Sequence, residues 1–186
     1  TAHGIRIEDT TKYFRIRNNR IENAVNPLAG IYLDNAINGI IDNNLLENDY
    51  IGIHLRNQSE NNRIENNTVD NSRDYMSIEI VESNYTKLIN NTCDNAAYGI
   101  VIDTSNFVLL ENNKTRNIEY QSFTVQDSQQ DNLKNNKSEN GGTGIRIQAA
   151  ENNILFNNRL SNSTLFSNRS YGIWLNKSDN NILENN

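Results

Sequence analysis

Two side chains able to exchange protons, Tyr32 and His54, occupy the same place in successive copies of a short motif, Gly30-Ile31-Tyr32-Leu33 and Gly52-Ile53-His54-Leu55. Asp34 and Arg56 follow two residues later, and Glu79 holds the same place in the next copy, Ser77-Ile78-Glu79-Ile80. If each motif is a strand stacked on the next, adjacent rows lie about 4.8 Å apart. Tyr32, Asp34, His54, Arg56 and Glu79 then fall within reach of a single sugar ring. Reading the same outward positions in the remaining copies adds Arg6, Asp103, Arg146 and Trp174. Such an array, about 38 Å long over eight spacings, suits an extended polymer that is stacked upon and hydrogen-bonded. The plainer reading stands beside it. His54 alternates with apolar Ile53 and Leu55 as any solvent-facing strand residue would. Arg56 and Glu79 can form a surface ion pair of little worth, and Trp174 can cover a loop. Spacing alone does not establish a site.

The elements that must position these residues are set by a repeat. The doublet Asn-Asn begins at Asn18, Asn43, Asn66, Asn90, Asn112, Asn135, Asn157 and Asn185, at separations of 25, 23, 24, 22, 23, 22 and 28 residues. About thirteen residues before each doublet stands a small residue and an alternating apolar pair, as in Gly4-Ile5-Arg6-Ile7, Gly99-Ile100-Val101-Ile102, Ser122-Phe123-Thr124-Val125, Gly144-Ile145-Arg146-Ile147 and Gly172-Ile173-Trp174-Leu175. Eight units fill the chain, the signature of a solenoid. In the unit from Gly144, Ile145 and Ile147 alternate with Arg146 and Gln148, the period of a half-buried strand. Ile154-Leu155-Phe156 gives a second strand and Arg159-Leu160-Ser161-Asn162 a third. Three short strands in about 22 residues, with no helical stretch between them, predict an all-β, right-handed parallel β-helix of about eight coils. A leucine-rich repeat shares the period but needs more leucines and a single strand.

Hydrophobic residues make up only 35% of the chain and Asn about a fifth. In a non-repeating sequence this balance leans towards disorder; a thin core shared between coils needs fewer apolar residues. One elongated domain over residues 1–186 is expected, as a segment of a longer protein, because end coils need caps. Without caps, exposed end coils can stack on one another. The net charge of -6 and the absence of a basic stripe argue against nucleic acid. No apolar run is long enough to cross a bilayer. The single cysteine, Cys93, excludes an internal disulfide, and no Cys/His cluster has metal-ligand spacing. No cofactor is called for, calcium being the one ion to test beside an acidic polymer.

The asparagines have a structural use. Stepping by two from inward Ile16, Ile64 or Leu133 places Asn18, Asn66 or Asn135 inside, where stacked amides can donate and accept along the column; the second Asn then takes the left-handed bend. Asn23, Asn48, Asn71, Asn95, Asn117, Asn140 and Asn162 mark the end of the third strand. Cys93 shares an inward column with Ile21, Leu46, Val69, Thr115, Ser138 and Leu160, which makes it packing rather than chemistry. Nine Asn-x-Ser/Thr sequons, at Asn84 and Asn168 for example, are expected from composition and carry no function.

Coil length varies in the connection from third strand to next first strand: four residues from Asn48 to Gly52, but seven from Asn23 to Gly30, six from Asn71 to Ser77 and ten from Asn162 to Gly172. Loops on one edge can wall a groove floored by the first strands. Tyr50, Tyr75, Tyr98, Tyr120 and Tyr171 precede those strands, forming either an aromatic stripe or simple loop packing.

The Gly-Ile-x-Ile and x-Ile-x-Asn-Asn pattern, clearest from Tyr171 to Asn186, resembles the parallel β-helix repeat family. Within it the chain is similar to NosD-type repeat proteins and to the repeat regions of mannuronan carbon-5 epimerases and polysaccharide lyases. The resemblance implies a secreted or surface protein acting on an extended polysaccharide by abstraction of the carbon-5 proton of a uronate. His54 would be base, Tyr32 acid and Arg56 the neutraliser of the carboxylate. Arg6, Asp34, Glu79, Asp103, Arg146 and Trp174 would bind the polymer. The Asp-Pro-His motif of such epimerases is lacking, since the single proline, Pro27, is followed by Leu28, and no calcium-binding nonapeptide is present. The competing expectation is a non-catalytic binding, adhesive or spacer module. The metal handling implied by the NosD name finds no ligand cluster.

Overall fold

A computed structural model describes residues 2–72, 75–162 and 170–186. Among them the chain winds into three parallel faces and forms no helix. The first face stacks Ile5–Thr10, Ala29–Ala36, Ile51–Arg56, Met76–Val81, the second halves of Thr92–Asp103 and Lys114–Gln126, then Thr143–Gln148 and Ile173–Asn176. The second face is an eight-stranded sheet running from Phe14–Arg17 to Ile182–Glu184. The third runs from Arg20–Glu22 to Arg159–Asn162 and has one row fewer, so the chain makes about seven turns where the sequence counts eight units. At the fourth and fifth connections the third strand flows straight into the next first strand, through a register shift between Ala96 and Tyr98.

Each face contributes inward apolar side chains to one continuous core, including Ile31, Leu33, Ile53, Leu55, Ile78, Ile80, Ile100 and Phe123 from the first, Leu88 from the second and Leu46 and Val69 from the third. At Gly52 the small residue opening the first strand is required by close approach: a Cβ there would stand 2.4 Å from Val69 Cγ1 and 2.6 Å from the Ser77 carbonyl oxygen. Cys93 is fully buried in its expected column, and burial pushes its thiol up to about 12, which leaves it without thiolate chemistry.

The asparagine ladder is present, but its members are the second residues of the doublets. Asn44, Asn67, Asn91, Asn113, Asn136 and Asn158 are buried. Each Nδ2 donates to Oδ1 of the next coil's asparagine at 2.8 to 3.1 Å, along a line from Asn19 to Asn186. From Asn44 onward each also donates to a second-face carbonyl of the previous coil, as Asn91 does to Ile64. The first residues of the doublets have φ between 52° and 58°. That left-handed step breaks the alternation by two, turning Asn18 and its equivalents outward and their successors inward. Asn is the residue that visits this region at least cost. The third-strand markers from Asn23 to Asn140 are left-handed too, with φ between 52° and 66°; the side chain of Asn162 and the sequon at Asn168 lie outside the described residues.

Two further internal columns close the turn between first and second faces. Ser59, Ser83, Ser105 and Ser128 are buried, and the hydroxyls of Ser59, Ser105 and Ser128 accept backbone N–H groups of the preceding coil, as Ser105 does from Ser83 at 2.9 Å. Three residues on, Asn62, Asp131, Asn153 and Asn181 do the same. Asp131 is thus a buried acid at a place where other coils carry an amide.

Candidate functional site

The first face carries the predicted residues in register: Arg6 pairs with Tyr32, Tyr32 with His54, His54 with Glu79, and Asp34 with Arg56. The alternation that buries Ile31, Leu33, Ile53 and Leu55 turns these side chains outward. They do not stand free. Tyr32 is only 8% exposed; its hydroxyl donates to Asp34 Oδ2 at 2.9 Å, and its ring meets His54 edge-on with centroids 5.5 Å apart. Burial and the Asp34 hydrogen bond raise its pKa, so the phenol keeps its proton. Asn57 holds the other Asp34 oxygen at 2.8 Å.

His54 Nε2 lies 3.3 Å from Glu79 Oε2, both side chains 14% exposed. Burial, helped by the charge of Arg56, lowers the His54 pKa to about 4. Burial, with Asp103 nearby, raises Glu79 to about 6. At neutral pH the pair is therefore a neutral imidazole beside a carboxylate. With Nε2 turned towards Glu79, Nδ1 is the other ring nitrogen of His54, and it is an acceptor in the tautomer protonated on Nε2. Arg56 is exposed and makes no ion pair among the described residues, so the expected Arg56–Glu79 pair is not formed; Glu79 faces His54 instead.

His3 completes the cluster and was not anticipated. Its ring stacks on Tyr32 at 4.3 Å, and its Nδ1 accepts the Ala29 N–H at 3.0 Å, which places its proton on Nε2. Its place directly before the first Gly-Ile strand was the available signal. Arg6 lies over the Tyr32 ring, its guanidinium 5.6 Å from the centroid, and is paired with Glu8.

The array divides in two. Val101 and Thr124, the floor residues of the fifth and sixth rows, are buried. Asp103 beside them is held by the Thr104 hydroxyl and by Gln126 Nε2 at 3.1 Å. Beyond lies a separate group, in which the Arg146 guanidinium sits 5.0 Å from the Trp174 ring and Trp174 stacks on Tyr171 at 5.7 Å. Four strand spacings, about 19 Å, separate Arg146 from His54.

Along the edge the tyrosines form ring contacts: Tyr50 on Tyr75 at 4.9 Å, Tyr75 against Tyr98 at 6.4 Å and Tyr98 against Tyr120 at 5.2 Å. Tyr50 and Tyr75 also pack on Ala29, Tyr32 and Ile51 in a small apolar cluster outside the main core. Beside Tyr50, the connection from Asn23 borders a cavity of about 420 Å³ lined by Val25, Asn48 and Asp49. Asp49 Oδ1 accepts the Ala24 N–H at 2.7 Å, and burial raises its pKa to about 6. Residues 73–74 and 163–169 of the other long connections lie outside the described residues. No group of three metal-ligating side chains occurs among the described residues.

The fold and this face together define a parallel β-solenoid with an aromatic-edged, titratable patch on its first sheet. The chain belongs to the right-handed β-helix family, whose model matches residues 1–133 and again 77–186. No curated protein sequence matches it. Among solved structures, a double mutant of the periplasmic alginate epimerase AlgG superposes with a TM-score of 0.69 at 16% identity, covering 95% of this chain and 47% of that one. An alginate lyase from Paenibacillus sp. str. FPU-7 superposes at 0.50 with 14% identity, covering 87% of this chain and 72% of that one. The chain thus spans about half the length of the epimerase. At these identities the likeness is one of fold.

Proposed function

We propose that the first face receives an extended, uronate-containing polysaccharide outside the cytosol, and that the Tyr32–His54–Arg56 cluster removes the carbon-5 proton of a bound uronate. The observation that carries this reading is the dyad at its centre, a neutral imidazole beside Glu79 and in edge-on contact with a protonated phenol. The names of two proteins sharing the fold, an alginate epimerase and an alginate lyase, support the polymer class.

In this reading Arg56 neutralises the uronate carboxylate, which stabilises the enolate formed as His54 Nδ1 takes the proton. Tyr32 and His54 rise from adjacent rows of one sheet face, so both reach the polymer from the same side. Inversion at carbon 5 needs acid and base on opposite faces of the ring. Removal and delivery from one side suits β-elimination: the C5–H electrons form the C4=C5 bond, the C4–O bond breaks, and the leaving oxygen takes the Tyr32 proton. Asp34 keeps that phenol protonated and aimed until the substrate arrives. Turnover is followed as unsaturated ends on alginate or pectate, and its loss in both His54→Gln and Tyr32→Phe is the expected result. A second reading, binding without turnover, is favoured by the burial of Tyr32; retention of polymer with no new ends would establish it.

A further inference from the structure

A second aromatic group stands on a different edge, at the turn entering the second face. Register places Tyr13, Asn38, Asn61, Tyr85, Phe107, Gln130, Asn152 and Asn180 in one column. From Asn38 onward each has φ between 54° and 62°, the left-handed region. Asn suits that region; a bulky aromatic does not, and strained positions of this kind persist where they serve function. Tyr85 and Phe107 nevertheless occupy it, and both rings face solvent, 49% and 46% exposed. Their centroids are 4.9 Å apart with planes 4° from parallel. Neither ring adds to the core.

Tyr13, 63% exposed, lies in the same column three rows earlier, about 14 Å away by strand spacing. The short residues between, Asn38 and Asn61, leave a cavity of about 330 Å³ bounded by Tyr13, Arg63, Tyr85 and Lys87. That is the size of an ordinary small-ligand site. Arg63 and Lys87 are register partners at the start of the second strand. Arg63 is paired with Glu65, whereas Lys87 is exposed and makes no ion pair among the described residues. Glu60, the other nearby carboxylate, is held by Asn84 at 2.9 Å.

We propose that this edge is a second carbohydrate site, taking a uronate-bearing chain whose sugars meet the faces of Tyr85 and Phe107 left open by their mutual stacking and whose carboxylate meets Lys87. The aromatic faces supply stacking, the Asn38 and Asn61 amides supply hydrogen bonds, and the uncommitted cation selects an acidic sugar over a neutral one. The site rests on the polysaccharide reading above but is independent of the first face. It would hold the polymer to the solenoid while another stretch reaches His54.

The test is affinity electrophoresis through gels containing alginate, pectate or a neutral glucan. Tyr85→Asn with Phe107→Asn installs the residue that the column itself uses at Asn38, Asn61, Asn152 and Asn180, so the fold is kept, and thermal melting checks this. The expected result is a melting temperature equal to or above wild type. The apparent affinity for the uronate gels should fall by up to about tenfold per ring lost. Lys87→Gln should weaken retardation by the uronate gels alone. Unchanged retardation in the double variant, with loss in Arg56→Gln, would overturn the second site and leave the first-face reading standing. A wild-type chain retarded by no gel would overturn both. A change in sedimentation without a change in retardation would make the edge a self-association surface and also overturn the proposal.

Discussion

Replacing Asp131 by Asn should stabilise the protein at neutral pH and do nothing in acid. Asp131 Oδ1 accepts the Val108 N–H at 2.7 Å, while Oδ2 is buried without a partner. Burial raises its pKa from 3.8 to about 8. The folded state therefore holds a proton that the unfolded chain releases between about pH 4 and pH 8, so stability falls as pH rises through that window and levels off above it. At 1.36 kcal/mol per unit, keeping the proton at pH 7 costs about 4 kcal/mol relative to pH below 4. Asn carries no such cost. In the same column Asn62 Nδ2 donates to the carbonyls of Ala36 and Ser59 at 2.8 Å each, and the carbonyls of Ser105 and Ser128 hold the equivalent places for residue 131. Urea unfolding of both proteins followed by circular dichroism from pH 4 to pH 8.5 reads the difference directly, other carboxylates cancelling between them. The variant should be more stable by several kcal/mol at pH 8, the gap closing towards pH 4. A gap that is absent at pH 8, or that is the same at both ends, would refute the reasoning.

The ladder assignment predicts unequal partners within one doublet. Asn91→Ala strands the Ile64 carbonyl and both Asn67 donors, and should cost about 3 kcal/mol or more, whereas Asn90→Ala loses a left-handed preference and one long, exposed hydrogen bond to Asn66, about 1 to 2 kcal/mol, as thermal melts of the two will report. His54, lowered to about 4, should show a neutral imidazole by nitrogen NMR at pH 5.5. Its share of stability is present above the ordinary histidine pKa and lost as pH falls towards 4, so a charged ring at pH 5.5 would contradict the buried pairing with Glu79. Cys93, pushed up to about 12, should resist a thiol reagent at pH 8 in the folded protein and react promptly in denaturant; rapid native labelling would mean that the core opens at that coil.

The repeat made the fold legible. The spacing of Gly-Ile-x-Ile and Asn-Asn assigns three strands per coil, and alternation assigns their buried faces, because strand geometry has a strict period of two. The same rule misplaced the ladder. Period-two counting cannot see a left-handed residue, and the doublets place one between Ile16 and Asn19. The composition of the first face, Tyr32 beside His54 beside Glu79, was readable because register follows from repeat alignment. Its state was not. That Tyr32 is buried, that Glu79 faces His54 rather than Arg56, and that His3 caps the cluster all depend on side-chain packing. The buried acids Asp49 and Asp131 escaped notice for a related reason: only the internal columns at the turns reveal that an Asp replaces a ladder amide.

The central claim is proton removal from carbon 5 at the first face, and incubation with alginate or pectate in deuterium oxide tests it most directly. Proton NMR of the recovered polymer should show loss of the carbon-5 proton signal with the wild-type chain and full retention with His54→Gln. Retention of that signal by the wild type, on polymers it demonstrably binds, would contradict catalysis by the Tyr32–His54–Arg56 cluster.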